Sequence, residues 1–131
     1  MSANTELVER LARAFEGEDT DAALACLDPE VELLPIRAQL DGTSYIGHDG
    51  YRRVVADFAA DWEGLRLFQE QLHEAGDSVV AVGRLHAKGK ASGVDLDVPL
   101  ALLYDIRDGL VMRLQSFSDP DEALRAAAIE S

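Results

Sequence analysis

Leu102-Leu103-Tyr104-Asp105-Ile106-Arg107-Asp108-Gly109-Leu110-Val111-Met112-Arg113-Leu114 is the stretch that decides the fold. Two apolar alternating runs, Val94 to Arg107 and Leu110 to Phe117, flank Asp108-Gly109. That dipeptide predicts a β-hairpin, because both central residues of a type I′ turn need positive φ. An unbroken register from the turn sets Arg107 opposite Leu110, Tyr104 opposite Arg113 and Leu102 opposite Gln115. Val98, Leu100, Leu102, Tyr104, Ile106, Val111, Arg113, Gln115 and Phe117 then share one side of the sheet. A mostly apolar face carrying a few polar groups, once covered by amphipathic helices, is the wall expected of a ligand cavity.

Working toward the C-terminus, Asp119 stands as an N-cap, Pro120 at the first helical position and Glu122 three residues after the cap, which predicts a short closing helix. Toward the N-terminus, Leu65 to Glu74 and Val79 to Lys88 read as two more long strands. Before them, Tyr51, Val54, Val55, Phe58, Ala59 and Trp62 form the wide apolar stripe of a helix starting near Gly47. Val31 to Ile36 reads as a strand with Pro35 at its end, at a sheet edge. Leu7, Val8, Leu11, Ala14 and Phe15 mark a first helix capped by Asn4 or Thr5, and a second runs from Asp19 or Thr20 to the stop at Asp28-Pro29. Helices first, then an antiparallel meander, then a closing helix, predicts an α+β fold with the helices on one face of the sheet.

The 131 residues, 47% of them apolar, suit a single domain spanning 1–131 with a real core. With 25 acidic against 12 basic residues the net charge is −13, which argues against nucleic acid or an anionic membrane surface as partner. The N-terminal residues show no basic and apolar signal regions and no apolar run reaches membrane-spanning length, so a cytoplasmic location is expected. The lone Cys26 sits among alanines and leucines and reads as a small hydrophobe rather than a nucleophile.

The element order resembles the SnoaL-like branch of the nuclear transport factor 2-like superfamily. The resemblance is carried by Asp28-Pro29-Glu30-Val31-Glu32, Tyr45-Ile46-Gly47-His48-Asp49-Gly50, Trp62, Ala75-Gly76-Asp77, Ala91-Ser92-Gly93-Val94, Arg107-Asp108-Gly109 and Asp119 to Leu124. It covers nearly the whole chain. It implies a cone-shaped α+β barrel, with a curved antiparallel sheet wrapped around three N-terminal helices and a deep pocket. It also implies a cofactor-free proton transfer of isomerase, cyclase or dehydratase type, carried by a carboxylate or histidine in an apolar cavity. Where the ketosteroid isomerases of that superfamily place base, oxyanion tyrosine and partner carboxyl, this chain has Leu34, Leu11 and Leu102 or Leu103, so that constellation is absent.

Among the remaining candidates, Glu32 lies on the first strand on the same side as Leu34. It is either a base or a glutamate facing water or paired with Arg37 or an arginine of another strand. Arg113, opposite Tyr104, either binds an anionic or enolisable oxygen of the ligand, with Tyr104 donating and Gln115 orienting, or forms a structural pair with Glu32. Phe15, Leu34, Val55, Phe58, Trp62, Leu102, Gln115 and Phe117 are the expected ligand contacts. Asp119 is read as a cap rather than a base. His48, His73 and His86 lack metal-site spacing, so neither metal nor cofactor is expected. The opposite sheet face, Pro99, Ala101, Leu103, Leu110, Met112 and Leu114, is apolar enough to predict a homodimer. A non-catalytic ligand-binding or dimerisation domain is the competing reading.

Overall fold

The computed structural model describes residues 2–128, apart from the side chain of Arg37. The chain runs α1 (Ala3–Glu16), α2 (Thr20–Leu24), β1 (Leu27–Leu34), α3 (Ile36–Asp41), β2 (Tyr45–Ile46), α4 (Gly47–Asp61), β3 (Trp62–Ala75), β4 (Ser78–Gly89), β5 (Asp95–Arg107), β6 (Leu110–Phe117) and α5 (Pro120–Ala126). The cap of α1 is Ser2, two residues before the expected Asn4, with its hydroxyl accepting from the Thr5 amide. Asp19 caps α2 by accepting from the Ala22 amide.

β1 begins at Leu27, four residues earlier than the alternation from Val31 suggests. It tolerates Pro29 because the chain bulges there: Leu27 pairs with Val111, and the next pairing is Glu32 with Arg113. The residues between carry no ladder bond that proline could remove. Pro35 ends the strand and caps α3, a short helix that alternation alone gives as strand end and loop.

The six strands form one sheet in the order β2-β1-β6-β5-β4-β3. The expected antiparallel meander holds for β3 to β6, but β1 lies parallel to β6, so the sheet is mixed. Parallel neighbours need a long crossover. Here everything from α3 to β5 supplies it, and β6 returns beside the first strand in the same direction.

The main core sits on the inner face, where Leu7, Val8 and Leu11 of α1 and Tyr51 of α4 pack on Leu27, Val31, Val79, Ala81, Leu102 and Tyr104. A second cluster lies on the outer face, where Ala123 and Leu124 of α5 cover Val80, Ala101 and Leu103. The closing helix therefore sits opposite α1 and α4. It also covers Ala101 and Leu103, two members of the face expected to meet a second copy, which removes much of the reason for expecting a homodimer there.

Candidate functional site: an apolar cavity between helices and sheet

Asp108 and Gly109 have φ of 53° and 76°, both positive as the type I′ turn requires. Arg107 faces Leu110 and Ile106 faces Val111, but Asp105 then faces Arg113, leaving Met112 without a partner. This one-residue bulge turns every later side chain of β6 to the other face. Leu114, opposite Tyr104, and Ser116, opposite Leu102, point inward, whereas Arg113, Gln115 and Phe117 lie outside. The expectation that Arg113, Gln115 and Phe117 line the cavity is thus corrected, while of the two readings of Glu32 the structure has the pair with an arginine of another strand, Arg113 on the outer face.

The Arg113 Nε lies 2.9 Å from Glu32 Oε1, with the two side chains 44% and 42% exposed. The Nε–H is not aligned on that oxygen, and this nitrogen has no hydrogen-bond partner among the described residues. The contact is a Coulombic pair of the half-exposed kind, worth less than about 1 kcal/mol. Gln115 donates to Gln39 Oε1 at 3.0 Å, and Gln39 in turn donates to the Leu34 and Ser116 carbonyls, tying α3 across β1 and β6. Phe117 packs beside α5.

Between α1, α4 and the inner face lies a cavity of about 320 Å³. Leu11 and Phe15 line it from α1, Val54 and Phe58 from α4, and Leu100 and Leu102 from β5. Leu34 closes it at the end of β1. Among the described residues, Tyr51, Tyr104 and Ser116 are its polar side chains, and no Asp, Glu, His, Lys or Arg contributes to the lining. Of the other expected contacts, Val55 packs against the core without reaching the cavity. Trp62 lines an adjoining groove with Tyr45, Asp57 and Asp61, which shares Pro35, Val54 and Phe58 with the cavity. Rings continue from one to the other: Phe15 meets Tyr51 and Phe58 edge-on at 6.4 and 6.3 Å, and Phe58 meets Trp62 at 6.5 Å.

A SnoaL-like domain model matches residues 8–114. The chain belongs to the SnoaL-like family. Among solved structures, this SnoaL-like chain is similar to a nuclear transport factor 2-like protein of unknown function from Burkholderia pseudomallei, with a TM-score of 0.81 and 21% identity over 95% of this chain and 97% of the other. It is similar to TerC co-crystallised with polyporic acid, at TM-score 0.80 and 23% identity over 92% and 95% of the two chains. A third is a SnoaL-like polyketide cyclase, so named provisionally, from Jannaschia sp. CCS1, at 0.78 and 22% over 98% and 94%. These likenesses show the fold. No curated protein matches the sequence, and no helix among the described residues is long and apolar enough to cross a membrane.

Tyr104, 1% exposed, donates its hydroxyl to Gln69 Oε1 at 3.0 Å, while the hydroxyl of Tyr51 has no partner among the described residues. Tyr51 escaped the sequence reading because it occupies an apolar-stripe position of α4. Its signal was being the one residue of that stripe with a hydroxyl. Leu114 and Ser116 were missed because the unbroken register sent them outward. Cys26 is buried, its thiol pushed up by burial, and it donates to the Ala22 carbonyl at 3.5 Å, all of which suit a packed hydrophobe rather than a nucleophile. His48 contacts the Leu27 carbonyl and His73 contacts Gln71, and neither lines the cavity. Asp119 accepts from the Asp121 amide and so serves as the cap of α5.

Burial pushes the Tyr51 hydroxyl up to about 12, with the nearby Cys26 thiolate adding to the effect, and burial pushes Tyr104 higher still. Both rings are therefore neutral donors across the physiological range. A folded-state pKa above the unfolded value means that the stabilisation is complete below about pH 10 and is lost as pH rises through the folded pKa. Unfolding free energy is expected to be unaffected by these groups up to about pH 10, then to fall by about 1.4 kcal/mol per pH unit for each ring. Urea midpoints followed against tyrosinate absorbance measure this. A profile flat to about pH 11.5 would mean that both hydroxyls are hydrated.

Proposed function

We propose that this SnoaL-like chain binds an apolar or amphipathic small molecule in the cavity between α1, α4 and the sheet. The lining carries the reading: aliphatic and aromatic walls interrupted, among the described residues, by three hydroxyl-bearing side chains and by no carboxylate or histidine. A proton transfer on the bound molecule would draw on tyrosine and serine hydroxyls alone. Both tyrosines hold their protons far above neutral pH, so neither is a base there. Binding is accordingly the function the geometry supports best, ahead of isomerisation, cyclisation or dehydration by a cavity carboxylate. A fold neighbour crystallised with polyporic acid supports small-molecule binding by this architecture.

The test uses N-phenyl-1-naphthylamine, a neutral probe whose fluorescence rises in apolar surroundings. Saturable binding to the wild-type chain is expected. Leu102→Trp, which places a large ring in the cavity from its β5 wall, is expected to weaken binding at least about tenfold, since overfilling leaves no room for the probe. Circular dichroism verifies that the variant is folded, and Leu114→Trp repeats the test from β6. Absence of saturable binding, or equal binding to both folded variants, would overturn the proposal.

A further inference from the structure

Of the three hydroxyl-bearing cavity side chains, Ser116 and Tyr51 have no hydrogen-bond partner for the hydroxyl among the described residues, and Tyr51 is the one that carries it on a ring. The residue is 6% exposed, and its ring is fixed edge-on against Phe15. A phenylalanine would satisfy the same stripe and the same ring contact. Its hydroxyl makes no hydrogen bond to any described residue, in contrast to Tyr104, whose donor is taken by Gln69. Nor is the oxygen sealed off by protein: among the described residues, the Arg113 Nε on the outer face is the side-chain polar atom that lacks both access and a partner. The hydroxyl is thus a donor open to the cavity and uncommitted within the described protein. Tyr51 lines the cavity, so the acceptor that would complete it belongs to whatever fills that space.

The charge of that acceptor follows from the rest of the wall. With Arg113 paired to Glu32 on the outer face, no cation among the described residues lines the cavity, and the chain as a whole carries −13. A carboxylate or enolate brought into this space would be desolvated without a counter-charge. The expectation of an anionic ligand oxygen rested on Arg113 facing inward, and the bulge at Met112 removes that basis.

We infer that Tyr51 is the specificity-determining donor of the cavity, and that its ligand presents an uncharged oxygen acceptor, of carbonyl or ether type, on an apolar body. This rests on the binding function proposed above and adds to it which residue selects the ligand and which ligands are refused.

Three naphthalene derivatives of nearly the same shape separate the possibilities: 2-acetylnaphthalene, 2-isopropenylnaphthalene, in which a methylene replaces the carbonyl oxygen, and 2-naphthoate. Each displaces N-phenyl-1-naphthylamine from wild type, from Tyr51→Phe and from Arg113→Met. Tyr51→Phe is expected to weaken the ketone about tenfold, the equivalent of about 1.4 kcal/mol, and to leave the alkene within about twofold. Comparing each ligand across the two proteins cancels the difference in their hydrophobicity. Naphthoate is expected to bind wild type at least about tenfold more weakly than the ketone, and Arg113→Met to change none of the three. Tyr51→Phe breaks no bond within the protein, so its thermal midpoint should match that of wild type and report on folding. If ketone and alkene both bind wild type and lose equally, or neither loses, Tyr51 is not the selecting donor. Naphthoate binding as tightly as the ketone would overturn the uncharged acceptor. If no derivative displaces the probe from wild type, the binding function itself fails.

Discussion

Truncation of Tyr104 to alanine is expected to lower the unfolding free energy by about 3 to 5 kcal/mol, the range for removing a buried aromatic ring. Tyr104 is among the largest fully buried side chains, and it stands at the middle of the sheet, with Val79 opposite on β4 and Leu114 opposite on β6. Its ring is shared between core and cavity wall, so the space left by alanine joins the existing cavity and the surroundings have little to collapse onto. The loss of its hydroxyl also leaves Gln69 Oε1 without its donor. Tyr104→Phe isolates the second effect and should cost about 1 kcal/mol. Equilibrium urea unfolding followed by far-ultraviolet circular dichroism measures both. Equal costs for the two variants would show that the ring contributes little to the core.

Gly83→Ala is expected to be nearly as damaging, at about 3 kcal/mol, the upper end for overpacking. A Cβ at position 83 would lie 1.6 Å from the Phe68 carbonyl oxygen and 3.1 Å from the Gln69 Cα. Those are backbone atoms of β3, which cannot rotate aside. Gly83 faces Gln69 in the register, and the register of β3 slips immediately afterwards, between Gln69 and Gln71. The strand folds across the glycine at this bulge, bringing Gln69 to the hydroxyl of Tyr104. Alanine would push β3 outward, so the variant should lose probe binding as well as stability. The check is a urea midpoint and a probe titration on the same preparation. A midpoint within about 0.5 kcal/mol of wild type would mean that β3 does not approach β4 so closely.

Gly83 also shows how far local reading reaches. It falls inside the alternating run from Val79 to Lys88, and alternation identifies a strand there correctly. A glycine within a strand marks a bulge or a close approach of backbone, but which strand approaches, and from which side, depends on partners distant in sequence. α3 was unreadable for a related reason. Its anchor is Gln39 bonding to the carbonyls of Leu34 and Ser116, and Ser116 lies 77 residues away.

The hairpin separates what the sequence by itself determined from what only the tertiary structure decided. Asp108-Gly109 specifies its turn locally, because few other residue pairs accept positive φ at both positions, and β6 spans Leu110–Phe117 as alternation indicates. The apolar stripes of α1 and α4 and the Asp119-Pro120 start of α5 are equally local. Which face each β6 residue takes is not local. An unbroken register puts Arg113 and Gln115 among leucines, where a charge without a partner is expensive. The bulge at Met112 turns both outward and Leu114 inward, and it is held by the parallel pairing that sets Glu32 beside Arg113 and Leu33 beside Leu114. Strands have a side-chain period of two, so that single unpaired residue exchanged cavity and surface for the whole end of the strand. Short-range sequence thus determined the elements and the turn. Contacts between the first strand and the last decided that β6 would give the cavity a leucine and a hydroxyl in place of Arg113 and Gln115.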